Sequence, residues 1–192
     1  MNDNRFNLAS RLIHWAIVFT VVFLIVTVLL RMGWMNKDHF GIIIQNDLTK
    51  LGKHISKDEA ASIGKNLRRP MWNNHILAGY LLIGLYIIRM LITLKQGLAF
   101  PSPFSKDASV KSKLKSWLYI IFYILMLISL FTGFMIVNGP KSWKEPLEFV
   151  HIKSLYYVVS FIILHIGGVL IADATNERGI VSKMISGEES NN

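Results

Sequence analysis

The chain has 192 residues, 52% of them hydrophobic, with a mean hydropathy of +0.41 and a formal net charge of +9. That is too apolar for an ordinary soluble domain of this length. The absence of cysteine excludes disulfides, iron–sulfur clusters, thiolate zinc sites and covalent c-type haem, which needs a C-x-x-C-H run.

The first apolar run, residues 12–30, holds His14 and no charge. About 20 residues of helix cross the hydrocarbon of a bilayer, so the run predicts a membrane helix over about 8–32. It is too long for a cleaved signal peptide, ends at Arg31 and is followed by no small-residue cleavage site. Residues 33–71 form a long connection. Within it, "SKDE" at Ser56–Glu59 has the pattern of a capping box and predicts a short helix to about Leu67, before Pro70. The second run, residues 76–94, carries one charge, Arg89, and follows His75, predicting a helix over about 72–95. A connection rich in Pro, Ser and Lys leads to the third run, residues 117–137, with neither charge nor histidine, and a helix over about 114–137. After "NGPKSWKEP" comes the fourth run, residues 154–172, with His165 inside it and His151 before it, predicting a helix over about 149–172. The polar tail, 173–192, is expected to be loosely ordered. The prediction is one all-α domain over residues 1–192. It is an integral membrane four-helix up-down bundle, with a long loop holding a short extra helix between its first two helices.

The charge is therefore that of basic loops facing anionic lipid head groups, and no basic, aromatic-interleaved motif points to nucleic acid. The second connection holds Lys95, Lys106, Lys111, Lys113 and Lys115 against Asp107 alone. Together with Arg5 and Arg11 this predicts a multi-pass protein of the cytoplasmic membrane with both termini inside. The tyrosines and tryptophans, Trp15, Trp72 and Tyr119 among them, cluster near helix ends and read as an interfacial belt.

The histidines form a pattern. His151 and His165 are 14 residues apart, which on one straight helix returns to within about 40° and rises about 21 Å. In an up-down bundle His75 shares a level with His151, and His14 shares the other level with His165. A neutral imidazole in hydrocarbon needs partners for both nitrogens. Two such rings across a bundle interior suit the axial positions of a haem iron, each second nitrogen donating to a backbone carbonyl. The pattern suits two haem irons, one on His14 and His165, the other on His75 and His151. Gly79, Gly84, Gly133, Gly167 and Gly168 provide gaps, either for a flat macrocycle or for close helix packing. Arg89, 14 residues after His75, falls at the His14/His165 level, where it suits a haem propionate or a quinone. Arg11 is a second cation there, and Lys153, Arg68 and Arg69 are their counterparts on the other side, unless they snorkel to head groups.

Three stretches carry a resemblance to a known family: "RLIHW" at Arg11–Trp15, "NHILAGYLLIGLYIIR" at Asn74–Arg89, and "HIKSLYYVVSFIILH" at His151–His165. In these, and in its four-helix layout, the chain resembles the bacterial cytochrome b561 family, related to the cytochrome b subunits of nickel–iron hydrogenases. The resemblance implies a di-haem b electron carrier, with one haem between the second and fourth helices and one between the first and fourth. It also implies electron exchange between a quinone pool and an outer-face partner, such as a hydrogenase, a c-type cytochrome or superoxide.

Bis-histidine ligation leaves no open position on iron, so electron exchange is expected rather than oxygen binding. Two other readings share these residues: a superoxide:quinone oxidoreductase or ferric reductase with the same ligands, and a haem-poor membrane anchor of a redox enzyme in which the histidines only pack. Membrane lipid, a quinone and an outer-face redox partner are the expected partners, and the sequence leaves room for a homo-oligomer.

Overall fold

The computed structural model describes residues 7–96, 102–175 and 178–187. Arg5, residues 97–101 of the second connection, and residues 176–177 and 188–192 of the tail lie outside the described residues. Among the described residues every regular element is helical: α1 (Leu8–Met32), α2 (Lys37–Lys50), α3 (Lys57–Leu67), α4 (Arg69–Gln96), α5 (Val110–Asn138), α6 (Lys144–Ile152), α7 (Ser154–Ala174) and α8 (Ile180–Ile185), with a 3-10 turn at Lys141–Trp143. Four stretches are long and apolar enough to cross a membrane: Leu8–Met32, Arg69–Lys95, Val110–Asn138 and Lys141–Ala174. The expected all-α membrane bundle is present.

Exposure is inverted relative to a water-soluble protein. Along α5, Leu114, Ile121, Ile124, Ile128 and Phe131 are exposed, whereas Ser116, Met126, Ser129 and Thr132 are buried. Leucine gains nothing by leaving lipid for another helix, so small and hydroxyl-bearing residues turn inward and large apolar ones turn outward. The buried hydroxyls are satisfied within their own helix: Ser116 donates to the Ser112 carbonyl at 3.0 Å and Thr132 to that of Ile128 at 2.8 Å.

Helix boundaries depart from the expectation in three places. α4 starts at Arg69, with Pro70 in its first turn, where a missing N–H breaks no helical bond. α5 starts at Val110 because the Ser109 side chain caps the Ser112 N–H at 3.2 Å. The fourth helix is not one rod. α6 ends at Ile152 and α7 begins at Ser154, and around Lys153 the bonds tighten to i→i−3, from the Lys153 N–H to the Val150 carbonyl and from the Tyr156 N–H to the Lys153 carbonyl, both 3.1 Å. His151 and His165 therefore sit on successive helices, joined through the tightened turn at Lys153.

The chain divides into two compact units, one formed by residues up to Ile17 together with Ile83 onward, the other by Val18–Leu82. In the second, the capping box predicted at Ser56 is formed. The Glu59 N–H donates to Ser56 Oγ at 3.2 Å, and the Ser56 N–H donates to the Glu59 carboxylate at 2.8 Å. These bonds, the backbone N–H of Ser56 above all, hold the Glu59 carboxyl below its usual pKa of 4.5. α2 was not expected; Asn36 starts it by accepting the Asp38 N–H at 2.8 Å. α2 and α3 form a tight hairpin turned at Gly52, which has φ +72°. They cross at small residues: a Cβ on Gly64 would lie 2.5 Å from the Lys37 carbonyl oxygen, and one on Gly41 3.1 Å from the Ala61 nitrogen.

In the first unit, α5 packs against α6 and α7, and α7 against α8. α8 corrects the expectation of a loose tail. The Asp173 carboxylate accepts the Val181 N–H at 3.2 Å. From α1, Arg11 Nη2 donates to the Ile185 carbonyl at 3.0 Å and Trp15 Nε1 to the Met184 carbonyl at 3.1 Å. Those last carbonyls have no intrahelical donor and would otherwise stay unpaired.

Candidate functional site

His14 on α1 and His165 on α7 face each other, both half-buried, with ring centres 6.2 Å apart and planes inclined by 53°. Two imidazoles on opposite sides of one metal ion need about 2 Å for each metal–nitrogen bond and about 1 Å more from each nitrogen to its ring centre, about 6 Å in all. The observed separation fits that requirement. His165 is held on two sides. Its Nδ1 lies 3.1 Å from the Tyr119 hydroxyl, and Phe161 stacks on its face at 5.6 Å, itself stacked on Phe122 at 3.5 Å. The Arg89 guanidinium acts electrostatically on His14, and the Lys115 ammonium on His165. These two cations are suited to the anionic propionates of a haem. Arg11, the other cation expected here, is engaged with α8, and its guanidinium lies against Gly187.

His151, at the end of α6, is anchored to α5. Its Nδ1 is 3.0 Å from the Ser129 carbonyl oxygen and 3.2 Å from Thr132 Oγ1. A carbonyl oxygen only accepts, so Nδ1 carries the proton and Nε2 presents a bare lone pair. The ring reaches this position because residue 133 is glycine: a Cβ there would lie 2.8 Å from His151 Cε1. Gly133 thus serves close helix packing, one of the two roles expected of it, by seating His151 of α6 against α5. At Gly79, Gly84, Gly167 and Gly168 an added Cβ would meet nothing within 4 Å. Among the described residues nothing packs closely on these positions, and Gly84 and Gly168 are exposed.

His75, in the first turns of α4, belongs to the unit Val18–Leu82. Its Nδ1 lies 2.7 Å from Thr27 Oγ1, and Trp72 stacks on its ring at 4.5 Å with planes 3° apart. The Arg31 guanidinium covers the Trp72 ring at 4.1 Å. Lys153 is exposed and lies over Phe149 at 5.0 Å and Tyr156 at 6.0 Å. Arg68 closes the end of α3 and Arg69 opens α4. His39 bonds the nearby Trp34 carbonyl at 3.0 Å, and His54 lies exposed beyond the end of α2.

Sequence reasoning missed the residues that hold the rings: Thr27, Ser129, Thr132, Tyr119, Trp72 and Phe161. The one available signal was hydroxyl-bearing residues inside apolar runs, such as Thr27 in "LIVTVLL" and Thr132 in "SLFTGF". Such residues are as often bonded only to their own helix.

The residues present fit haem b. They offer one pair of imidazoles, His14 and His165, at a suitable separation, rings whose Nδ1 is committed to hydrogen bonds, and cations that act on that pair. Comparison with known proteins agrees: the sequence model of the family described as prokaryotic cytochrome b561 matches residues 5–187. No curated protein and no solved structure matches the chain. The chain belongs to the prokaryotic cytochrome b561 family, and is a b-type haem protein of electron transfer that spans a membrane.

Proposed function

We propose that the protein carries electrons across the cytoplasmic membrane between a quinone pool and a redox partner at the outer face. It does so through two haem b groups, one held by His14 and His165 and the other by His75 and His151. The 6.2 Å separation of the His14 and His165 rings carries the reading. The second pair rests on sequence spacing and on the Nδ1 hydrogen bonds that His75 and His151 each make among their own neighbours.

When bound, haem b supplies a one-electron carrier. The chain orients it and keeps it dry. His14 with His165, and His75 with His151, would each hold one haem by two imidazoles, and haem held so would exchange electrons rather than bind a further ligand. Ser129 and Thr27 accept Nδ1 protons and keep each Nε2 deprotonated for ligation. Arg89 and Lys115 neutralise propionates at the His14/His165 level. That level faces the cytoplasm, where the lysine-rich second connection and both termini lie, and Arg89 there serves a quinone close to the haem.

The test is a haemochrome assay with dithionite-reduced minus oxidised spectra of the wild type and four variants. Wild type holds two haems per chain. His14→Ala and His165→Ala lose the same spectral component, and His75→Ala and His151→Ala lose the other. A colourless wild type, or variants that group otherwise, refutes the reading.

A further inference from the structure

We propose that Thr27 is a positioning residue for His75. Its hydroxyl oxygen accepts the Nδ1 proton of the ring and so sets the tautomer, orientation and donor strength with which His75 meets a haem iron. The inference rests on the haem reading above and adds a control on redox potential.

A threonine in a membrane helix satisfies itself by donating to a carbonyl one turn back. Thr93 in α4, for example, bonds the Arg89 carbonyl at 2.9 Å, and Thr175, just after α7, bonds the Ile171 carbonyl at 2.6 Å. Thr27 does the same with the Leu24 carbonyl at 2.7 Å, which uses its only proton. It also makes a second contact, 48 residues along the chain, placing its oxygen 2.7 Å from His75 Nδ1. With its proton committed, the hydroxyl can only accept there, so Nδ1 is the donor and Nε2 is the nitrogen without a proton. Thr27 is 2% exposed, and a hydrogen bond in such surroundings is stronger than one in water. Trp72 packs flat on the ring face at 4.5 Å beside this acceptor. An apolar residue would suit the run "LIVTVLL" equally well, so membrane insertion gives no reason for a hydroxyl at this place.

The chemical consequence has a definite sign. A proton drawn toward Thr27 leaves more electron density at Nε2 and makes the imidazole a stronger donor. A stronger donor favours ferric over ferrous iron, so the bond lowers the reduction potential of the haem that His75 holds.

The experiment is a redox titration of the purified holoprotein with ferric EPR spectra, for wild type, Thr27→Val, Thr27→Ser and Thr175→Val. Valine keeps the shape of threonine without the acceptor, and serine keeps the acceptor. In Thr27→Val one of two waves moves upward by about tenfold in its reduction equilibrium, about 59 mV for one electron, and its low-spin ferric signal changes. The other wave stays in place. Thr27→Ser and Thr175→Val match wild type. If Thr27→Val instead lacks one haem, restoration by Thr27→Ser supports the role of the hydroxyl, and loss in both variants overturns it. Two unshifted waves in Thr27→Val also overturn it. A wild type without two haems refutes the haem reading itself, independently of Thr27.

Discussion

The seat of His151 on Gly133 can be tested with one methyl group. In Gly133→Ala the new Cβ begins 2.8 Å from Cε1, 3.4 Å from Nδ1 and 3.6 Å from Nε2 of His151. Ordinary carbon–carbon contact begins near 3.5 Å, so the ring must retreat by about 0.7 Å. The bond from Nδ1 to the Ser129 carbonyl is 3.0 Å long, and a retreat of that size stretches it beyond hydrogen-bonding range. Overpacking costs about 1–3 kcal/mol and the lost hydrogen bond about 1 kcal/mol more, while alanine returns about 1 kcal/mol of helix propensity. The variant is therefore destabilised by about 1–3 kcal/mol, with the damage centred on His151. Thermal unfolding in detergent and reduced-minus-oxidised spectra report it: a lower midpoint, and one haem component weakened or shifted while the other is retained. Wild-type stability together with an unchanged spectrum would show that Gly133 does not seat the ring.

Three further outcomes follow from elements other than the proposed haem ligands. Gly64→Ala drives a Cβ to 2.5 Å from the Lys37 carbonyl oxygen, a backbone atom that cannot swing aside, so the α2–α3 hairpin opens and becomes sensitive to limited proteolysis while the haem spectrum is unchanged. The Glu59 carboxyl is held below its usual value by the Ser56 N–H. Its contribution to α3 is accordingly present above the unfolded pKa of 4.5 and is lost as pH falls through the lower folded value. Hydrogen exchange of the first α3 amides should quicken on acidification in wild type, and Glu59→Gln should remove that dependence. Arg11→Ala withdraws a donor from the Ile185 carbonyl, and Gly187→Ala puts a Cβ into the Arg11 guanidinium at φ +82°. Both should release α8, seen as proteolysis after α7 in a protein that keeps the His165 spectrum.

Length and hydropathy were enough to locate the four membrane spans, because a bilayer demands about 20 apolar residues whatever the rest of the fold does. The α3 start was equally legible, since a capping box closes within four residues of its own chain, Ser56 to Glu59. His14 and His165 stood out because an imidazole in an apolar run needs a chemical reason, and His75 and His151 because they stand just before two such runs. What could not be read locally were the groups that make those histidines useful. Tyr119 finds His165 across 46 residues, Thr27 finds His75 across 48, and Ser129 finds His151 across 22. A hydroxyl bonded to its own helix and one bonded also to a ring look alike in a sequence. The tightened turn at Lys153 and the docking of α8 on Arg11 and Trp15 depend on the same kind of distant partner. The bilayer, a uniform solvent, writes its requirement into every residue of a span. The placement of a proton on one ring nitrogen is set by a single neighbour, and only folding determines which neighbour that is.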